Sequence, residues 1–471
     1  MKKLLKHVIV HQSTLVRTVL KDICITISAL SRFPGENKRV FNALILALLV
    51  CTSTTSYGFS ANDASKTIAS NGSLADTQAA LNYVASKAQD GWVLTVGAAG
   101  SSYTWSGASL NINIPHVFTM QGASPTNPPT ITSTYAGGQD ISVHVTNSKT
   151  VTIKDIHFKS WAATAALFVV TGSGVDCYRF TNLTFSGTRK WAIWVSSAGD
   201  TNQGEGPYGL IDHVVMPSGG CLAYVRDNPA ANPNSWHRPM TWGTKKAVYI
   251  EDSKFIAVDR VPTENEICDG DNGARIVVRH NTIQDFQQVT HGPDSNGTTK
   301  SSLQHEYMHN TWTVTDGIGQ AWCMFIRGGT AVIFDNTVNR IGSGWYNSVV
   351  KCEYYRAEAN NGVCAQDRFY PADYFGTQQP GCGYVGVTGQ DPKYPSAPWG
   401  RVPIYYWNNH INAPMSFSQF SSSTAGFTQL NRNYFIGTAK PGYTEYTYPH
   451  PLQAGATASL APPSNLTISG P

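Results

Sequence analysis

Charge is scarce in this 471-residue chain: Asp, Glu, Lys and Arg together make up 14% of it, and no run of basic residues occurs past residue 58. That excludes the electrostatic footprint of a nucleic-acid binder. The formal charge of +4 comes from the N-terminal stretch, where residues 1–58 hold eight basic and two acidic groups; without them 26 basic face 28 acidic groups, a near-neutral −2. The body therefore offers no electrostatic case for an anionic membrane either. There is no glycine-rich nucleotide loop, no Gly-x-Ser-x-Gly, no His-Glu-x-x-His and no paired-Cys zinc spacing. Long apolar runs are missing too. The run from Phe41 to Cys51 is too short to span a bilayer comfortably. Preceded by Lys38-Arg39 and followed by small polar residues up to Ser56 and Gly58, it reads as a secretory leader, with residues 1–37 as an upstream extension and a membrane anchor as the alternative. Export permits disulfides. Seven cysteines follow the leader (Cys177, Cys221, Cys268, Cys323, Cys352, Cys364 and Cys382), and an odd count leaves at least one thiol unpaired.

Aromatics (11%) and glycine (42 residues) are plentiful, a composition that suits a carbohydrate partner and not a disordered chain. The body opens with a helix capped by Ser73, with Asp76 three residues on and Leu74, Leu81, Val84, Ala85 and Ala88 at helical spacing. A strand at Trp92–Val96 follows. Then one template recurs: apolar, any, apolar, any, any, ladder residue, any, apolar. It fits Val151-Ile153-Ile156-Phe158, Tyr178-Phe180-Leu183-Phe185, Val248-Ile250-Ser253-Phe255, Ile276-Val278-Asn281-Ile283, His305-Tyr307-Asn310-Trp312, Ala331-Ile333-Asn336-Val338 and Ile404-Tyr406-Asn409-Ile411. It fits Tyr208-Leu210-His213-Val215 less well, and ends at Thr428-Leu430-Asn433-Phe435. Spacings mostly between 24 and 30 residues match one turn of a stacked parallel β structure. The ladder residues, Asn at 281, 310, 336, 409 and 433, are expected to stack in a bend, each amide bonding the next.

These features predict an all-β, right-handed parallel β-helix with a short N-terminal capping helix. The helix domain spans 59–452 with long loop insertions at 219–243 and 341–402; residues 453–471 read as a linker-like tail. A β-sandwich or propeller is the distant alternative.

The chain resembles the pectin-lyase-like superfamily of secreted parallel β-helix proteins over about residues 70–450. The resemblance rests on the repeat template, on Trp92–Gly122 and on Leu210-Ile211-Asp212-His213. It implies a polysaccharide as partner, a lyase-type enzyme acting on acidic polysaccharide outside the cell, and a monomer. A glycoside hydrolase and a non-catalytic glycan-binding surface protein are the alternatives. The pectate-lyase Arg-x-Pro-x-x-Arg is incomplete: after Arg260-Val261-Pro262 come Glu264 and Asn265, and no second Arg.

Stacking turns the template into a map of neighbours about 4.8 Å apart. The residues preceding the ladder positions give a column Asp212, Asp252, His280, His309, Asp335, in which two imidazoles flanked by carboxylates form a candidate acid–base set. Solvated turn formers are the plain alternative. The exposed mid-strand column Arg179, Gly209, Tyr249, Val277, Glu306, Val332, Tyr405 leaves Glu306 among apolar neighbours, a candidate acid or base. His291 and Arg327, on loops entering adjacent turns, are expected to approach it. The alternative is a structural Glu306–Arg327 ion pair. The cluster 264–273 offers Glu266, Asp269 and Asp271 as oxygen ligands for Ca²⁺, or is simply a polar turn. Tyr249, Tyr405, Trp242 and Trp345 are the candidate sugar-stacking residues.

Overall fold

The computed structural model describes residues 58–135, 139–160, 166–187, 191–197, 206–217, 219–226, 238–257, 265–292, 301–315, 322–342, 348–352, 380–384, 386, 399–412, 418–422 and 430–454. They form a parallel β-solenoid. Each turn supplies a strand to a first face, bends, supplies a short second strand, and crosses to a third face. One turn, for instance, runs Gln304–Met308, Thr311–Val314, Trp322–Ile326, and the next Thr330–Phe334, Thr337–Arg340, Ser348–Cys352. All three strands of the first pair in parallel with their counterparts in the second. Among the described residues only two strand pairings are antiparallel, Ser60–Asn62 with Thr67–Ser70 and Cys382–Tyr384 with Trp399–Arg401, beside the isolated bridges Thr146↔Lys149 and Asp271↔Ser301.

Helix α1 (Leu74–Lys87) sits at the N-terminal end, its Ala80, Leu81 and Val84 buried. Ser73 caps it by accepting from Asp76 N at 3.3 Å. The Asp76 carboxylate does not return to Ser73; it accepts from Asn71 N at 2.7 Å and Phe59 N at 3.0 Å, tying the entering chain to the cap. Inward residues of the strands, from Leu94, Met120 and Ile153 through Ile250, Val278 and Ile333, form one continuous core.

The bend carries the expected ladder. Asn281, Asn310, Asn336 and Asn409 stack, the backbone N–H of each donating to the next side-chain oxygen at 3.0–3.1 Å. Ser253 N donates to Asn281 Oδ1 at 2.9 Å and begins the series. Asn433 does not continue it. Tyr434, not Thr428, pairs with Ile404, so the strand begins one residue after Asn433. The template at 208–215 also slips by one: Phe180 pairs with Ile211 and Thr184 with Val215, so Val214 occupies the ladder position and His213 precedes it. Asp212 and Gly209 therefore leave the columns assigned to them, and Leu210 takes the place of Gly209.

The residue before each ladder position has a positive φ: Asp155, Asn182, His213, Asp252, His280, His309, Asp335 and Asn408. Asp, Asn and His are the non-glycine residues most often found there. The polar column thus has a backbone cause.

Part of each expected loop insertion is regular. Gly220–Arg226 and Ser348–Cys352 are third-face strands. The C-terminal residues 443–453, by contrast, run back along the outside of the first face as a strap. Tyr443 meets Phe334 and Trp407, Arg279 holds the carbonyls of Tyr446 and Thr447, and Arg179 holds that of Leu452. Leu210, Tyr249, Val277, Met308 and Val332 are buried as a second core beneath it. No helix of the described residues is long and apolar enough to cross a membrane.

Candidate functional site

The mid-strand column of the first face forms in register, Tyr249↔Val277↔Glu306↔Val332↔Tyr405. It is not a groove, because the strap and the segment 241–246 cover it. Glu306 is 1% exposed and accepts from Tyr443 Oη at 2.7 Å, Gln304 Nε2 at 2.9 Å and Gly243 N at 3.2 Å. Burial pushes its carboxyl up, against the pull of those donors. Gly243, at φ 59°, is required here, since a Cβ would lie 1.8 Å from Thr444 O in the strap. Tyr249 is sealed under Tyr446 and His450, and Trp242 packs on Tyr443. Tyr405 stacks on Phe435. Trp345 lies outside the described residues, as do Arg260 and Glu264.

His280 and His309 do meet, as ring neighbours at 4.8 Å, but the strap joins them. Tyr448 stacks on His280 at 3.5 Å, and Glu445 contacts His309 Nε2 at 3.1 Å. Burial, followed by the His309 charge, lowers His280 to about 4. Neither ring approaches Glu306 through any hydrogen bond, and the pair serves as a seat for the strap.

His291 and Arg327 belong to another place. They do not reach Glu306; they converge on Asp269 on the third face. Arg327 NH2 lies 3.5 Å from Asp269 Oδ1 and 3.2 Å from His291 Nδ1, and His291 Nδ1 lies 3.2 Å from Asp269 Oδ2. Arg327 is fixed by donating Nε–H to Thr290 O at 2.6 Å. Two residues on along the same strand, Asp271 accepts from Tyr224 Oη at 2.5 Å and Arg226 Nε at 2.7 Å. The strand Asn265–Asp271 pairs with Gly220–Arg226, so Tyr224 lies beside Asp269 and Arg226 beside Asp271. Alternation puts both carboxylates on the outer side of the sheet, roughly 6.6 Å apart at their Cα atoms, where both are buried under their partners.

Their environments differ. Burial pushes Asp271 up to about 6, partly countered by Arg226 and Tyr224. Burial acts on Asp269 too, but the His291 charge and hydrogen bond, with Arg327 behind them, outweigh it and hold this carboxyl below its usual range. Rings continue the face outward. Trp191 stacks on Tyr224 at 4.3 Å, and Trp194 meets Tyr224 edge-on at 5.6 Å. These aromatics and Arg226 were missed from the sequence. Their clue was the third strand of each turn, which lies outside the repeating template.

Asp269, Asp271 and Glu266 do not fit a Ca²⁺ site. The aspartates already accept from guanidinium, imidazole and phenol donors, and Glu266 Oε1 accepts from Gln287 Nε2 at 3.4 Å. Calcium wants several free oxygen ligands and no neighbouring cations.

No family model and no curated protein matches the chain. Among solved structures it is similar to a tailspike protein double mutant of E. coli bacteriophage HK620, with 11% identity, TM-score 0.33, and 59% of this chain and 61% of that one covered. It is also similar to the catalytic domain of a GH87 alpha-1,3-glucanase in complex with nigerose, with 9% identity, TM-score 0.33, and coverage of 74% and 60%. The chain spans about three-fifths of the length of these structures.

Proposed function

We propose that this protein binds a polysaccharide along the third face of its solenoid and hydrolyses it at the Asp269–Asp271 pair. One observation carries the reading: two carboxyl groups on one strand face, one held low and one pushed up to about 6, beside a run of aromatic rings. Pairs of titratable groups driven apart in this way divide into acid and base. Asp271, protonated below about pH 6, gives its proton to the glycosidic oxygen. Asp269, ionised and steadied by His291 and Arg327, supplies the charge that meets the oxocarbenium-like carbon or activates water. Arg226 lies over Asp271 with 19% of its side chain exposed and is the group a bound chain would displace. Trp191 and Trp194, packed on the buried Tyr224, offer flat faces to sugar rings.

A lyase acting on acidic polysaccharide is the second reading. It is favoured by the Arg327–His291 contact, in which Arg327 would neutralise a uronate carboxylate and His291 abstract the adjacent proton. The reading includes export behind the 1–58 leader and action as a monomer outside the cell. N-terminal sequencing of the secreted protein should begin near Gly58, and light scattering should give one chain's mass. No step runs through calcium.

The deciding experiment incubates the full chain with a panel of neutral and acidic polysaccharides. Reducing ends without ultraviolet-absorbing unsaturated sugar support hydrolysis; unsaturated products support elimination; neither product on any polymer sinks both. Asp271→Asn is expected to lower turnover by at least about 100-fold.

A further inference from the structure

The Asp271 carboxylate is closed off in this structure. Asp271 is 1% exposed, and two donors divide its oxygens between them. Tyr224 Oη donates to Oδ2 at 2.5 Å and Arg226 Nε donates to Oδ1 at 2.7 Å. These donors are held unequally. Tyr224 is buried, stacked on Trp191 at 4.3 Å and edge-on to Trp194 at 5.6 Å. Arg226 is the last residue of its strand and keeps 19% of its side chain exposed. Its guanidinium already lies 5.9 Å from the Trp194 ring centre and 5.6 Å from that of Tyr224. The other charges acting nearby are His291 and, two residues away on the same strand, Asp269 with its partner Arg327. A protonated Asp271 cannot keep both donors as they are. Arginine only donates, whereas a hydroxyl donates and accepts. A proton on Oδ2 would turn the Tyr224 O–H away from Asp271, its one hydrogen-bond partner among the described residues, inside a buried site. A proton on Oδ1 displaces only Arg226, whose side chain reaches solvent and two ring faces. Leaving a buried donor unpaired costs more than returning a guanidinium to water.

We propose that Arg226 is a gate on this site, closing Oδ1 while Asp271 is ionised and swinging out when Oδ1 is protonated, and that Tyr224 holds Oδ2 so that the proton faces outward. Tyr224 is a positioning residue, since it acts through Asp271. This inference rests on the proposed hydrolysis and adds its regulation. The resting and working forms exclude each other: the ion pair silences the acid, and acidification, or a sugar chain that pushes Arg226 aside, releases it. The proton then passes from Oδ1 to the glycosidic oxygen as the bond to the sugar carbon breaks. Asp271 is left as a carboxylate, and Arg226 closes on it again.

The test titrates the full chain by NMR with labelled aspartate carboxyl carbons and arginine Nε atoms, using Asp271→Asn and Arg226→Gln to identify the two signals. The Asp271 carboxyl should titrate near 6, and the hydrogen-bonded Arg226 Nε–H signal should be lost over the same pH range. Arg226→Gln should move that midpoint up, because it removes the neighbouring cation, and should raise kcat/KM at pH 7 about tenfold for each pH unit the midpoint moves. Tyr224→Phe keeps the stacked ring and removes only the hydroxyl. It should also move the midpoint up, but lower kcat by about tenfold, the scale of one hydrogen bond to a charged group. A merely structural role for either residue would lower the melting temperature and leave the midpoint in place. Turnover with an Arg226 signal that persists through the Asp271 titration, or with a midpoint unmoved by Arg226→Gln, overturns the gate and leaves the hydrolysis reading standing. No turnover on any polysaccharide overturns that reading and the gate's role with it.

Discussion

Asn310 donates Nδ2–H to Val278 O at 2.8 Å and to Asn336 Oδ1 at 3.0 Å, while its own oxygen accepts from Asn281 N at 3.0 Å. Every polar atom of this buried amide is used, and its neighbours depend on it. Asn310→Ala would leave the Asn281 N–H without its acceptor and take a donor from Val278 O and Asn336 Oδ1, and should cost about 1–3 kcal/mol, measured by denaturant unfolding. Glu306 is a different case. Its carboxylate is occupied by Tyr443 of the strap, by Gln304 and by Gly243, so Glu306→Gln should leave turnover unchanged while lowering stability. Loss of turnover with an unchanged melting temperature would contradict the assignment. The pH profile belongs to this scale as well. Asp271 acts as the acid only while protonated, so kcat/KM should fall as pH rises through about 6. It should also fall at acid pH as Asp269 takes a proton, at a value below the usual carboxylate range. A profile flat through pH 6 would remove Asp271 from the acid role.

At the scale of elements the strap closes the first face. It binds Arg179 and Arg279 through its carbonyls, and these arginines also pair with Asp212 at 2.8 Å and Glu251 at 2.6 Å. Removing residues 443–454 would leave these buried charges partly unsatisfied and uncover the second core, a loss of at least about 3 kcal/mol. Pulse proteolysis of the shortened chain should report it. The strap also carries a pH response. His280 is held neutral, down to about 4, while an unfolded histidine protonates near its ordinary 6.5. The unfolded chain therefore binds more protons between those values, so stability falls as pH drops from about 6.5 towards 4. Glu251 has the opposite sign: pushed up to about 7 by burial despite Arg279, it adds stability that is lost as pH rises through that value. Comparing wild type with His280→Gln isolates the first effect, and the variant's melting temperature should fall less over that acid range.

For the molecule as a whole, stacking makes distant residues neighbours. Asp269, His291 and Arg327 come from three successive turns and meet because the turns repeat. The same geometry leaves the first turn with an edge, which Thr67–Ser70 pairs and α1 packs over. Deleting residues 58–88 should expose Trp92 and Leu94, 1% and 0% exposed in the intact protein, and turn a folded chain into an aggregating one, visible in light scattering.

The parallel stack, the capping helix and the asparagine ladder were legible in the sequence, because inward residues and bend residues repeat with the turn. The template slips by one at 208–215, where the ladder residue is not Asn, and by six at 428–435, where the last strand is only three residues long, Tyr434–Ile436. The polar column was legible too, but its backbone cause, a positive φ at each bend, was not. Sequence separately nominated Asp269, Asp271, His291 and Arg327 without joining them. Their meeting on the third face depends on the register between turns of unequal length. That the first face is closed was decided by a C-terminal segment folding back along the solenoid. No local pattern encodes that path, since its contacts lie as far as 273 residues away in the chain.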